Sequence, residues 1–183
     1  NPVISVPQTP PSIQLKSAKG IDYRNLEDLL RRQQWKQADE ETATVMLQAA
    51  NRTKEGWLRV EDIDNFPCED LRTIDQLWLK YSNGKFGFSV QAKIYRELSG
   101  TREYNKEIWN AFGDRVGWRV NNSWIYNYDV TFDLKAPLGH LPFVYGYYGY
   151  WCELSFFLDW GGVGVWGKGW FSSLASRLVK CNI

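Results

Sequence analysis

Residues 66 to 98 read FPCEDLRTIDQLWLKYSNGKFGFSVQAKIYREL, and the spacing of their apolar side chains decides the fold class. Pro67 stands where a helix starts, and Glu69 and Asp70 follow in the first turn, where negative charge suits the helix dipole. Leu71, Ile74, Leu77, Trp78 and Tyr81 then recur at intervals of three and four, the period of one helical face. Asn83-Gly84 suits a left-handed C-terminal cap. The next run, from Lys85 to Leu98, is apolar on more than one side through Phe86, Phe88, Val90, Ala92, Ile94, Tyr95 and Leu98, so it is expected to be the most buried helix.

Working towards the N-terminus, the same period predicts a helical hairpin. Asp22 is placed as an N-cap, and Leu26, Leu29 and Leu30 carry a helix to about Gln34. Ala38, Thr42, Val45, Met46 and Ala49 define a second helix over Lys36 to Asn51, closed by the polar turn Arg52 to Gly56. Trp57 to Phe66 reads as irregular. The first eleven residues hold four of the seven prolines. Residues 1–20 are therefore predicted to be a disordered Pro-rich linker, and residues 21–183 a single domain. The Pro-rich start and the initial Asn suggest a domain taken from a longer, multidomain parent.

Working towards the C-terminus, Tyr104, Ile108, Trp109 and Phe112 predict a helix over Thr101 to Phe112. The stretch FGDRVGWRVNNSWIYNYDVTFDLKAPLGHLP from Phe112 to Pro142 is different. Trp124, Tyr126, Tyr128, Val130 and Phe132 alternate with mostly polar residues, which in an extended chain gathers the rings on one face. Burying each ring removes roughly 150–250 Å² from water, so such a row packs on a core, meets a partner, or lines a pocket for something flat and apolar. Pro137, Gly139 and Pro142 then fix a tight turn around His140. Beyond it, Glu153 to Asp159 is predicted as a short helix, GGVGVWGKG as a loop, and Trp170 to Cys181 as a terminal amphipathic helix. The whole reads as an all-α, compact domain of six to seven helices, with an irregular or extended excursion over about residues 113–150 that forms a ligand hollow.

Composition narrows the function. The chain has 183 residues, 44% hydrophobic and 23% charged, with a net charge of +1. That balance gives no electrostatic footprint for duplex nucleic acid, and single-strand binding by ring stacking lacks its basic groove. Aromatic residues reach 16% (10 Trp, 10 Tyr, 9 Phe), as expected for a planar-ligand site or a large interface. No run of about 18–20 apolar residues would span a bilayer, so at most peripheral membrane association is expected. Cys68, Cys152 and Cys181 are odd in number and far apart, and His140 is the one histidine. This argues against zinc and favours a reduced compartment over a disulfide framework. No nucleophile and base constellation, phosphate loop or metal motif supports an enzyme.

Four strings in this order, WKQADEETATVMLQAA (Trp35 to Ala50), FPCEDLRTIDQLW (Phe66 to Trp78), KFGFSVQAKIY (Lys85 to Tyr95), and VGWR with APLGHLP between Val116 and Pro142, resemble the Genomes Uncoupled Four family of tetrapyrrole-binding proteins. The likeness covers about Ile21 to Pro142 and resumes near Cys181. It implies a helical domain shaped like a cupped hand that binds protoporphyrin IX or Mg-protoporphyrin IX in a greasy hollow, with bilin binding also known in the family. It implies no catalysis by the domain. Family members stimulate magnesium chelatase in oxygenic phototrophs, and some bacterial members follow a protein kinase. The implied partners are thus a chelatase subunit or a fused kinase. The implied location is the cytoplasm of a cyanobacterium, with thylakoid association open, or a plastid stroma. A monomer is expected.

A macrocycle needs an apolar slot and cations for its propionates, and Arg meets a carboxylate with a planar fork. The wall candidates are Trp118, Trp124, Tyr126 and Tyr128, with Phe86 and Phe88 as the floor. Arg115 and Arg119 are the cation candidates, ahead of Lys135. Core packing is the competing role for each ring, and a solvated surface pair for the two arginines. His140 is a candidate ligand to a chelated metal, although its proline-bounded turn favours hydrogen bonding that fixes the turn. No tightly bound metal is expected. Cys68 is read as a buried structural cysteine. An interaction or bilin-sensing module acting on a kinase is the alternative reading.

Overall fold

The computed structural model describes residues 13–144 and 170–183. Seven helices account for most of it: α1 (Arg24–Arg31), α2 (Trp35–Ala49), α3 (Val60–Asp64), α4 (Cys68–Tyr81), α5 (Phe88–Glu97), α6 (Lys106–Val116) and α7 (Trp170–Lys180). One two-stranded hairpin, β1 (Arg119–Val120) and β2 (Ser123–Trp124), lies between α6 and a 3-10 turn at Asn127–Asp129. The all-α expectation holds.

The central pair forms as the sequence predicts. Helix α4 stops where Asn83 and Gly84 take positive φ of 54° and 75°. Helix α5 begins three residues later than the apolar run because Gly87, at φ 141°, turns the chain into it. The Asp75 carboxylate of α4 accepts the Ser89 amide of α5 at 2.8 Å, so one helix caps the other. Burial raises the pKa of this carboxyl, opposed by the hydrogen bonds from Ser89 and Phe88.

Several boundaries differ from the sequence reading. Helix α1 is shorter than Asp22 to Gln34, because Gln33 takes φ 57° and ends it. Tyr23 is the N-cap, while Asp22 accepts the Arg24 amide at 3.0 Å. Helix α6 starts at Lys106 rather than Thr101, since the Asn105 side chain accepts the Ile108 amide at 2.9 Å and caps it there. Helix α3 was not expected, its five residues being too few to show a period. The expected helix at Glu153 to Asp159 lies outside the described residues.

Residues 13–20, assigned to the linker from the sequence, pack on the helices. Lys16 accepts a hydrogen bond from Thr73 through its carbonyl at 2.7 Å. Fully buried Asp70 accepts the Ala18 amide at 2.9 Å, the Tyr23 hydroxyl at 2.9 Å and the Ser17 hydroxyl. Ile13 and Leu15 pack on the core. Residues 13–20 are thus part of the domain.

Two ring clusters fill the interior. Trp35, Trp78 and Phe86 meet at centroid distances of 5.7–6.5 Å, joining α2 to α4. Tyr95, Trp109, Phe112, Trp118 and Phe171 form the second, in which Phe171 stacks on Phe112 at 4.6 Å and brings α7 against α5 and α6. A disulfide joins Cys68, at the start of α4, to Cys181, just beyond α7, with Cα atoms 5.2 Å apart. The sequence argues against a disulfide framework and for a buried Cys68, and this pairing, with Cys68 partly exposed, corrects both: a fold can bring together two residues separated by 113 positions.

Candidate functional site

The site is built on a turn fastened to the helical core. The buried Asp39 carboxylate of α2 accepts the amides of Phe143 and Val144 at 2.6 and 2.9 Å. The Gln91 amide nitrogen donates to the carbonyls of Gly139 and Pro142, both at 2.9 Å. Gly87 donates to the Leu141 carbonyl and Gly139 to that of Lys85, each at 3.0 Å. The Leu141–Pro142 peptide is cis. These bonds satisfy the backbone of an irregular segment that would otherwise be buried without partners.

His140 is the centre of this arrangement and is 2% exposed. Its Nδ1 hydrogen is donated to the Val116 carbonyl at 2.7 Å, and its Nε2 accepts the Thr131 amide at 3.1 Å. Both ring nitrogens are therefore occupied by a neutral imidazole. Burial lowers its pKa below the ordinary 6.5, with the Val116 bond pulling the other way. The metal-ligand role considered for His140 is thereby corrected: its imidazole holds the turn to the end of α6.

Gly117 and Trp118 complete the fastening. Gly117 ends α6 in the left-handed conformation at φ 75°, and a Cβ there would lie 2.7 Å from Pro137 and 3.3 Å from the His140 ring. The Trp118 indole donates to the His140 carbonyl at 2.8 Å and is 4% exposed, with its ring edge-on to Phe143 and Phe112. Trp118 is a core residue here, and so are Phe86 and Phe88, each fully buried. None of the three presents a face to solvent.

The hairpin stands on this base. Asn121 and Asn122 take φ of 51° and 64° and make the tight turn, pairing Arg119 with Trp124. Trp124 is half-buried and stacks on Trp109 at 5.3 Å. Gly113 leaves it room, since a Cβ there would lie 2.6 Å from the indole. The extended row ends at this point, because the 3-10 turn at Asn127–Asp129 interrupts the alternation. Val130 is buried, whereas Tyr126 and Tyr128 are 57% and 77% exposed. Those two rings stack on each other at 5.2 Å, nearly parallel.

A hollow of about 130 Å³ opens beside the pair, lined by Lys36 and Glu40 of α2 and by Asn127, Tyr128 and Phe132. Lys36 and Glu40 were not foreseen as site residues, since a charged residue at the start of a helix reads as solvated surface. A larger hollow, about 540 Å³, lies between residues 13–16 and α4, with Glu69, Arg72 and Gln76 among its walls. None of the described residues lining it is aromatic. Of the predicted cations, Arg119 is folded onto Asp114 at 3.0 Å with its side chain 14% exposed, and Arg115 is exposed with a loose partner, Glu97, at 3.6 Å. Lys135 is exposed. No group of three or more His, Cys, Asp or Glu that could hold a metal occurs among the described residues. No described helix is long and apolar enough to cross a membrane.

Fold and site define a helical domain that presents a solvent-facing aromatic surface on a rigidly fastened excursion. The chain belongs to the GUN4-like family, whose profile matches residues 16–159. It is 39% identical over 131 residues to the Ycf53-like protein of Synechocystis sp., covering 70% of this chain and 53% of that protein. It is 34% identical over 134 residues to the chloroplastic tetrapyrrole-binding protein of Arabidopsis thaliana, covering 64% and 46%. The chain thus spans about half the length of these relatives. Among solved structures, GUN4 from Chlamydomonas reinhardtii superposes with a TM-score of 0.66 at 27% identity, covering 90% of this chain and 95% of that one. The ligand-free structure of Arabidopsis thaliana GUN4 gives 0.64 at 28% identity, covering 86% and 96%.

Proposed function

We propose that this domain is a non-catalytic, tetrapyrrole-binding regulatory module that takes protoporphyrin IX or its magnesium chelate against the hairpin face. The observation that carries this reading is the Tyr126–Tyr128 stack, two large rings left in solvent between Ile125, whose amide donates to the Trp118 carbonyl, and Thr131, whose amide donates to His140. Exposed, parallel, pre-ordered rings offer a planar ligand an apolar surface without a cost of ordering. Membership of the GUN4-like family and the name of the Arabidopsis relative support the choice of ligand.

The residues present fit such a ligand as an open face. A hollow of about 130 Å³ is smaller than the 300–1,000 Å³ of ordinary ligand pockets, so the macrocycle lies across the rings with one face towards solvent. Tyr126, Tyr128 and Phe132 supply apolar contact, with half-buried Trp124 at the inner edge. Lys36 and the loosely paired Arg115 supply cations for propionates. The chelated magnesium takes no ligand from His140, whose two nitrogens are committed. Of the sites predicted from sequence, the proposal thus keeps Arg115, Trp124, Tyr126 and Tyr128. Through this ligand the domain stimulates magnesium chelatase or reports pigment level to a linked kinase, in the cytoplasm of a cyanobacterium or in a plastid stroma.

The test is titration of the purified domain with a protoporphyrin analogue, following Trp emission and the ligand's absorption band. The expected result is saturable quenching at micromolar ligand, weakened at least tenfold in the Tyr126→Ala/Tyr128→Ala double variant with far-UV dichroism unchanged. An unaltered affinity in that variant moves the site away from the hairpin, and no response in the native domain ends the proposal.

A further inference from the structure

The disulfide occupies a position from which it can govern the ring cluster beneath the hairpin. Cys68 is the first residue of α4 and is partly exposed, whereas Cys181 is 3% exposed. Cys181 follows directly on α7, and Phe171 near the other end of that helix touches Tyr95, Trp109, Phe112 and Trp118. Trp109 in turn stacks on Trp124 of the hairpin. A continuous set of contacts therefore runs from the sulfur bridge through α7 to the hairpin. Besides the bridge, the polar ties of α7 to the α3–α4 region include the Arg177 guanidinium on the Phe66 carbonyl at 2.8 Å, the Arg72 guanidinium on the Cys181 carbonyl at 2.5 Å, and the charges of Lys180 and Arg177 near Asp64.

The chemistry at Cys68 suits exchange. A thiolate at the first position of a helix is stabilised by the free amides and the dipole there. Arg72 is one turn further along α4 and carries positive charge to the same end of the bridge. Disulfides that are structural and inert sit out of reach of solvent, and this one has its Cys68 side partly open.

We propose that Cys68–Cys181 is a thiol-exchange site through which a dithiol reductant loosens α7 and so alters the packing under the hairpin. One thiolate of the reductant attacks the Cys68 sulfur, the bond to Cys181 breaks, and Cys181 leaves as a thiolate and takes up a proton. The second thiol of the reductant then attacks the mixed disulfide. Cys68 departs as a thiolate at the start of α4, and the reductant ends as its cyclic disulfide. Two electrons pass to the protein, and the dithiol is the donor. The proposal goes beyond ligand binding and does not depend on it.

The experiment uses the full chain with Cys152→Ser, equilibrated without denaturant in buffers of reduced and oxidised dithiothreitol at graded ratios, then alkylated and weighed. Cys68 and Cys181 are expected to react together as one two-electron couple, with zero adducts giving way to two. Amide exchange across Trp170–Lys180 is expected to rise at least tenfold in the reduced form, with a shift in Trp emission. Cys181→Ser should show the fast exchange in every buffer. Adducts that appear only in denaturant, or α7 exchange equal in both redox states, would overturn the proposal. The readouts contain no pigment, so a failed pigment titration leaves this result standing, and the reverse also holds.

Discussion

Substituting Gly117 by Ala tests how the turn is fastened, and Gly84 supplies the control. Both glycines take φ of 75°, but a Cβ at Gly84 meets nothing within 4 Å, whereas at Gly117 it falls 2.7 Å from Pro137 Cγ and 3.3 Å from His140 Nδ1. The left-handed backbone costs an L-residue about 1–2 kcal/mol, and this is all that Gly84→Ala should lose. At Gly117 the added methyl meets a proline ring that cannot rotate away and an imidazole bonded at both nitrogens. Such overpacking costs about 1–3 kcal/mol, so Gly117→Ala should lose about 2–5 kcal/mol in total. At about 2–4 °C per kcal/mol for a chain of this size, calorimetry should separate the variants clearly. The Trp118 indole proton, bonded to the His140 carbonyl, should also exchange faster in Gly117→Ala and not in Gly84→Ala. Equal destabilisation of the two variants would refute the account of the turn, since it would mean that Pro137 and His140 yield freely.

Two further outcomes probe the buried polar groups. Because the folded pKa of His140 lies below its unfolded value of 6.5, the unfolded chain takes up the proton first as pH falls. Stability should therefore decline from about pH 6.5 downward until the folded pKa is reached, and His140→Gln should flatten that slope in urea melts while lowering stability at pH 8. Asp39→Ala removes the acceptor of two buried amides, those of Phe143 and Val144. At roughly 1–3 kcal/mol for each buried group left unpaired, it should cost at least about 2 kcal/mol by urea denaturation, and a loss below 0.5 kcal/mol would show that the turn is not held from α2.

The pattern of legibility follows the range of the interactions involved. Leu71, Ile74, Leu77 and Trp78 announce α4 because a helix is a local object whose buried face repeats every three to four residues. The same reasoning placed α2, α5 and α7 within three residues at each end. It misplaced the start of α6, where the Asn105 cap outweighed an apolar Tyr104 that is in fact half in solvent. The aromatic alternation from Trp124 to Phe132 correctly signalled a non-helical excursion. It did not foretell that Tyr126 and Tyr128 would face outward, because periodicity assigns rings to faces and does not say which face is covered.

What the sequence determined by itself was the helical class, the order of the described helices apart from α3, the position of the excursion between α6 and α7, and, through four strings of residues, the family. Each depends on neighbours along the chain. The tertiary structure alone decided that His140 spends both nitrogens on backbone groups of Val116 and Thr131, that Asp39 reaches Phe143 across 104 positions, and that Cys68 and Cys181 are bonded across 113. A hydrogen bond or a sulfur bridge depends on distances of a few ångströms in space. Separation along the chain does not fix those distances until the helices have packed.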